Sequence, residues 1–268
     1  MTIGWNCTAS RSIASATVKP GGKLTALALL RAAGLVGLFL LLCPIHLITK
    51  AGLGRSPWPS RFLAAAAWIV GARVRTKGKP VASHTLLISN HVTWLDILVI
   101  GGATGSAFVS KDALGHRFIH WLADQNETVY VRRADRKGSK DQANAIAKAL
   151  ERDKPIALFP EGTTGPGTDL LPFRSTLLEA ASYAARDVAI RPVAIDYGAA
   201  ATQICWWQES GKDNVLRLLG RRRILPVTVH LLDPLDRSGG RKQLTACASG
   251  AIAETLGLTS AEPSPIGG

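Results

Sequence analysis

From Ala32 to Thr49 the chain runs eighteen residues without a Lys, Arg, Asp or Glu, inside a longer apolar stretch at 24–49. A helix rises about 1.5 Å per residue, so this run reaches nearly across the ~30 Å hydrocarbon core of a bilayer. Pro44 and His46 weaken its last turns. Crossing the bilayer and lying re-entrant or in the interface therefore both stay open. Positive charges precede the run, but no clear A-x-A site follows it, which favours an uncleaved anchor over a signal peptide. A second apolar piece at 62–74, FLAAAAWIVGARV, is too short to span and lies among Arg and Lys residues. It is expected to rest in the interface beside the anchor.

Charge follows the same segment. Residues 1–80 hold eleven Lys or Arg and no acidic residue, leaving 21 of the 32 basic residues against all 19 acidic ones in the remainder. The excess of +13 thus belongs to the neighbourhood of the apolar run, which points to anionic membrane lipid as a partner. No zinc finger, RNA-binding signature or basic helix with interleaved aromatics supports nucleic acid. More Lys and Arg follow the run than precede it, so a spanning helix would put the C-terminal part on the cytoplasmic side. Cys7, Cys43, Cys205 and Cys247 are widely spaced and read as ordinary reduced residues.

Beyond about residue 80 short apolar runs alternate with helical periodicity. Strands are expected at 84–89, 106–109, 127–131, 155–159, 188–195 and 226–232. A helix is expected between the third and fourth, where Ala143, Ile146, Ala147 and Leu150 recur at i, i+3, i+4 and i+7. This alternation predicts an α/β fold, a single layered domain with a mixed or mainly parallel sheet, preceded by the N-terminal membrane helix. The expected organisation is a basic anchoring segment at 1–80, a catalytic domain at 81–258 and a disordered tail at 259–268.

Two motifs carry the chemistry. In NHVTWLD (90–96), His91 and Asp96 are five residues apart, about 140° around a regular helix, and so do not share a helix face. His91 is expected in a strand-to-helix turn, with Asp96 reaching it from the first turn of the next helix. Such a carboxylate fixes the tautomer of a general-base histidine. Alone, the pair is a weak signal. FPEGTT (159–164) follows another strand and opens a glycine-rich run to Gly167, but lacks the Lys-Ser/Thr of a P-loop. It is either a plain turn set by Pro160 and Gly162, or a loop whose N–H groups and Glu161 hold a substrate.

NHVTWLD, VYVRR (129–133), FPEGTT and RPVAI (191–195) together resemble, in order and approximate spacing, the four motif blocks of the glycerophospholipid acyltransferase family over about residues 80–200. The resemblance implies direct acyl transfer from acyl-CoA or acyl-acyl carrier protein to a lysolipid hydroxyl, with no cofactor and no metal. It implies His91 as general base and Asp96 as its support. It matches Arg133 and Glu161, Gly162 and Thr163 to acceptor-binding positions, Pro192 to the fourth block and Lys111 to a basic position near the headgroup. It further implies the bacterial inner membrane, catalytic side to the cytoplasm.

Lysophosphatidate acyltransferases often read FPEGTR, whereas position 164 here is Thr. Arg174, in PFRST (172–176), is a candidate to supply the missing charge, so Thr164 and Arg174 join the acceptor site. The favoured acceptor from the sequence is 1-acyl-sn-glycerol-3-phosphate, giving phosphatidic acid. EGTT followed by LLPFRS also looks like lyso-ornithine lipid acyltransferases, the alternative. A catalytically inactive lipid-binding scaffold is the competitor of another class, against which His91, Asp96 and Glu161 argue. A lipid hydrolase is disfavoured because no G-x-S-x-G elbow occurs. His116 and His120, at i and i+4, could share a helix face as metal ligands, but no third ligand is evident. Arg221–Arg223 reads mainly as a solvated or lipid-facing surface, and Trp206 and Trp207 as either core or interface.

Overall fold

The computed structural model describes residues 23–111, 116–131, 139–178, 188–237 and 240–258. The expected tail at 259–268 lies outside them. In chain order the elements are α1 (Ala26–Leu53), α2 (Trp58–Val70), β1 (Ala72–Lys77), β2 (Thr85–Ser89), α3 (Leu95–Thr104), β3 (Ala107–Lys111), α4 (Arg117–Gln125) and β4 (Val129–Val131). They continue with α5 (Ser139–Leu150), β5 (Ile156–Leu158), β6 (Ala189–Asp196), α6 (Ala201–Ile204), α7 (Gly211–Leu219), β7 (Leu225–Leu231) and α8 (Arg241–Leu256).

The strands form one seven-stranded sheet in the order β1-β7-β6-β2-β5-β3-β4. Neighbours are parallel except β6 and β7, which are antiparallel. Strand β2 is central, and all five of its residues are buried because both faces are covered. Its side chains alternate between the two layers: Leu87 joins the core under α2 and α3, while Leu86 and Ile88 join the core with Ile146, Leu150 and Ala248. The carboxyl ends of β2, β5 and β6 consequently open onto the same edge, the place where open α/β sheets bind ligands.

Helix α2 is built into this domain. A Cβ at Gly102 would stand 2.7 Å from the backbone of Ala64, and one at Gly101 2.5 Å from Leu63, so the two glycines of α3 let the helices approach closely. Gly71, at φ +106, ends α2. Residues 72–74, read with the apolar piece, instead begin β1, which pairs with β7 through Ala72 and Leu225.

Helix α1 is 28 residues long and apolar enough to cross a membrane, with a mean hydropathy of 2.3 in its best window. It nevertheless touches the domain along its length. Arg31 donates to the carbonyls of Leu219 (3.0 Å) and Arg221 (2.8 Å) at the end of α7. Phe39 meets the rings of Phe118 and Trp121 on α4 edge-on. His46 bonds Ser56 (2.9 Å) and Gln125 (3.2 Å), and Lys50 donates to the same Gln125 oxygen. The outward face carries exposed Leu40, Leu41 and Ile48.

Candidate active site

Asp96 lies in the first turn of α3 and is wholly buried. Its Oδ2 accepts the N–H groups of Val92 (2.7 Å) and Thr93 (2.9 Å) together with Nδ1 of His91 (2.8 Å). Its Oδ1 accepts the hydroxyl of Tyr197 at 2.5 Å. Four donors compensate a carboxylate that would otherwise be costly to bury. A carboxylate only accepts, so Nδ1 of His91 carries the ring proton and Nε2 is left as the acceptor. Among the described residues Nε2 has no hydrogen-bond partner, and the side chain stays 17% exposed.

The FPEGTT loop is tied to this turn. Glu161 is buried; one carboxylate oxygen accepts the N–H of His91 (2.7 Å), the other that of Leu171 (3.1 Å). Burial pushes its carboxyl up to about 8, against those two bonds and with a further push from Asp96. The carbonyl of His91 accepts the N–H of Gly165 (2.7 Å), and Phe159 stacks on the His91 ring at 4.2 Å. Gly162 adopts φ +70, and a Cβ there would be 3.2 Å from the guanidinium carbon of the exposed Arg174. Thr163 is exposed. Thr164 donates to the carbonyl of Trp206 at 2.5 Å, and the N–H of Trp206 returns to Val92 at 2.9 Å.

Lys111 closes β3, though its side chain lies outside the described residues, as does Arg133 altogether. Pro192 sits within β6 opposite Ile88. Two residues escaped the sequence reading. Asn90 bonds both the N–H (2.8 Å) and the carbonyl (3.1 Å) of Ile195, joining the ends of β2 and β6. Tyr197, directly after RPVAID, is fully buried; burial and contact with Asp96 hold its hydroxyl well above the ordinary range. Its place at the end of an expected strand was the available signal. His116 caps α4 by accepting the N–H of Phe118, and His120 pairs with Asp124 at 3.4 Å. Trp206 is partly exposed, whereas Trp207 packs on the core.

Between these elements lies a cavity of about 120 Å³ whose lining includes His91, Glu161, Asp169, Asp196 and Tyr197. A histidine with a free Nε2 and a buried, fully partnered carboxylate behind it can take a proton from a hydroxyl held there.

Residues 71–196 match the family described as Acyltransferase. The lyso-ornithine lipid O-acyltransferase of Rhodobacter capsulatus is 31% identical, over 72% of this chain and 73% of that protein. That of Pseudomonas aeruginosa is 32% identical, over 76% and 78%. The chain belongs to this acyltransferase family. A 1-acyl-sn-glycerol-3-phosphate acyltransferase of Neisseria gonorrhoeae is 30% identical over 56% of this acyltransferase and 54% of its own length. The crystal structure of the 1-acyl-sn-glycerophosphate acyltransferase PlsC from Thermotoga maritima shares the fold. Its TM-score is 0.56 at 20% identity, covering 85% of this acyltransferase and 97% of that chain. The enzyme acylates a lysolipid, and its NHVTWLD and FPEGTT blocks follow the carboxyl ends of β2 and β5, while RPVAI lies within β6.

Proposed function

We propose that the enzyme acylates the hydroxyl of a lyso-ornithine-type lipid, with His91 as general base. Nε2 removes the hydroxyl proton as the oxygen attacks the thioester carbonyl. The C–S bond then breaks, and the departing thiolate takes the proton back from the imidazolium. Asp96 keeps the ring in the required tautomer and stabilises its cation. The observation that carries the acceptor assignment is Thr164: its hydroxyl is engaged by the Trp206 carbonyl, so this position offers no cation to a phosphate. An ornithine headgroup presents one carboxylate, suited to Arg174 with Lys111 and Arg133, and one ammonium, suited to a cavity whose lining includes Asp169. The two lyso-ornithine lipid acyltransferases above support the same choice.

A second reading, lysophosphatidate as acceptor, is favoured by Arg174 standing beside Gly162. Purified enzyme with labelled acyl-CoA and both lysolipids separates the two. The ornithine reading expects a higher kcat/KM for lyso-ornithine lipid, and Thr164→Arg moving the preference toward lysophosphatidate. A wild-type preference for lysophosphatidate would overturn it.

The membrane seat is part of the same proposal. Helix α1 meets the domain at Arg31, Phe39 and His46, a stretch of sixteen residues that rises about 22 Å. A helix held that way lies along the domain, with its leucine face in the cytoplasmic leaflet and nearby Lys and Arg residues on anionic headgroups.

A further inference from the structure

The sheet edge is divided by His91. The described residues matched to the acceptor come from the end of β3 and the loop after β5, on one side of β2 in the strand order. On the other side, where β6 ends and β7 begins, lies a groove of about 390 Å³ that none of these assignments uses. Its lining includes Gln203, Arg221, Arg223 and Thr228, and it shares Asp196, Tyr197 and Gly198 with the catalytic cavity. The two spaces therefore adjoin across the turn that carries the Tyr197 contact to Asp96.

The groove's lining is net cationic, Arg221 and Arg223 against the single carboxylate of Asp196, which lies nearest His230. Among the described residues Arg221, Arg222 and Arg223 have no ion pair with a carboxylate, whereas nearby Arg217 is paired with Glu209. Arg221 donates to Gln203 at 3.0 Å, yet its Nε is buried with no hydrogen-bond partner. Buried donors of this kind are rare unless a missing partner completes them. Burial, then repulsion from Arg223 and Arg217, lowers the Arg221 guanidinium from its ordinary value, the state that an arriving anion relieves.

We propose that this groove binds the phosphate of the thioester donor's phosphopantetheine arm, so that donor and acceptor approach His91 from opposite sides of β2. This rests on the acyl-transfer reading above. Coenzyme A and acyl carrier protein both carry that phosphate, joined to the reacting sulfur by a slender arm with two amides. Arg221 and Arg223 take the phosphate. Asp196, whose Oδ1 accepts the N–H of Gly198 at 2.7 Å, stands at the junction where an amide N–H of the arm passes.

The test uses the full-length enzyme in nanodiscs with three donors of one acyl chain: acyl-CoA, acyl-4′-phosphopantetheine and acyl-pantetheine. Arg223 is exposed and Arg221 lies at a helix end, so Arg223→Ala and Arg221→Gln leave the core intact. Each is expected to raise KM for the two phosphate-bearing donors about tenfold. KM for acyl-pantetheine and for the lysolipid should stay within about twofold. Equal losses with acyl-pantetheine, or a wild type indifferent to the phosphate, would overturn the donor site while leaving acyl transfer standing. Unchanged donor KM with weakened binding to phosphatidylglycerol vesicles would instead make the groove a lipid-headgroup surface, and would equally overturn it. If the wild type transferred from no donor, the acyl-transfer reading would fail. Binding of desulfo-CoA to the wild type and Arg223→Ala would then still decide the groove: equal affinities reject it.

Discussion

Because the Asp96 carboxylate can only accept, the proton between it and His91 stays on Nδ1, and under the proposed mechanism the proton taken from substrate goes to Nε2. General-base assistance to an alcohol contributes roughly a hundred- to ten-thousand-fold. His91→Ala should lower turnover by that order with membrane binding unchanged. Asp96→Asn should also cut turnover severely, and the double variant should be little worse than His91→Ala alone, because the two act as one unit. Losses that multiplied in steady-state assays would refute the pairing. Glu161 offers a pH test. Its ordinary value is 4.5 and the folded protein holds it at about 8, so the folded state binds this proton more tightly. Its stabilising contribution is full below about pH 4.5 and declines as pH rises through 8. Glu161→Gln should flatten that part of the stability profile in denaturant titrations. An unchanged slope would show that the carboxylate is already ionised in the fold. At this scale the motif blocks named His91, Asp96 and Glu161, which the structure brings into contact. They could not give Tyr197, because its bond to Asp96 closes across 101 residues of chain.

Among the elements, α3 matters most, since it both carries Asp96 and packs on α2 through Gly101 and Gly102. Gly102→Val would force a branched side chain against the Ala64 backbone. A cost of about 1–3 kcal/mol is expected, read as a lower midpoint in thermal melts. Turnover should fall with it, because tilting α3 moves Asp96 relative to His91; a variant that melted normally would mean the helices can separate freely. The strands β2 to β7 were legible from apolar runs bounded by turn residues. Strand β1 was not: ARVRTK holds three cations in six residues, and at an edge only Ala72 of the six is buried. Its partner β7 enters the chain about 150 residues later, beyond the reach of local pattern. Helix α1 was visible, but its ending past Pro44 depends on contacts that hydropathy does not report. His46 and Lys50 are held by Gln125, from another helix.

For the whole molecule, the apolar face of α1 and the exposed Phe118 and Ile119 of α4 lie beside one another, linked by the Phe39 contact. If buried in lipid, each large side chain contributes up to about 1.5–3 kcal/mol. Replacing Leu40, Leu41 and Ile48 together by Ser should therefore weaken partition onto vesicles by at least about a hundredfold, measured by co-sedimentation, while acyl transfer to a micellar lysolipid persists. Retained vesicle binding would place the membrane contact elsewhere. The attachment of α1 at Arg31, Phe39 and His46 carries a further consequence. A catalytic centre held at fixed depth beside a leaflet meets its acceptor by lateral diffusion, so its rate follows the number of lysolipids per unit area, not per unit volume. Adding inert phospholipid at constant bulk lysolipid should slow the bound enzyme as though substrate had been removed.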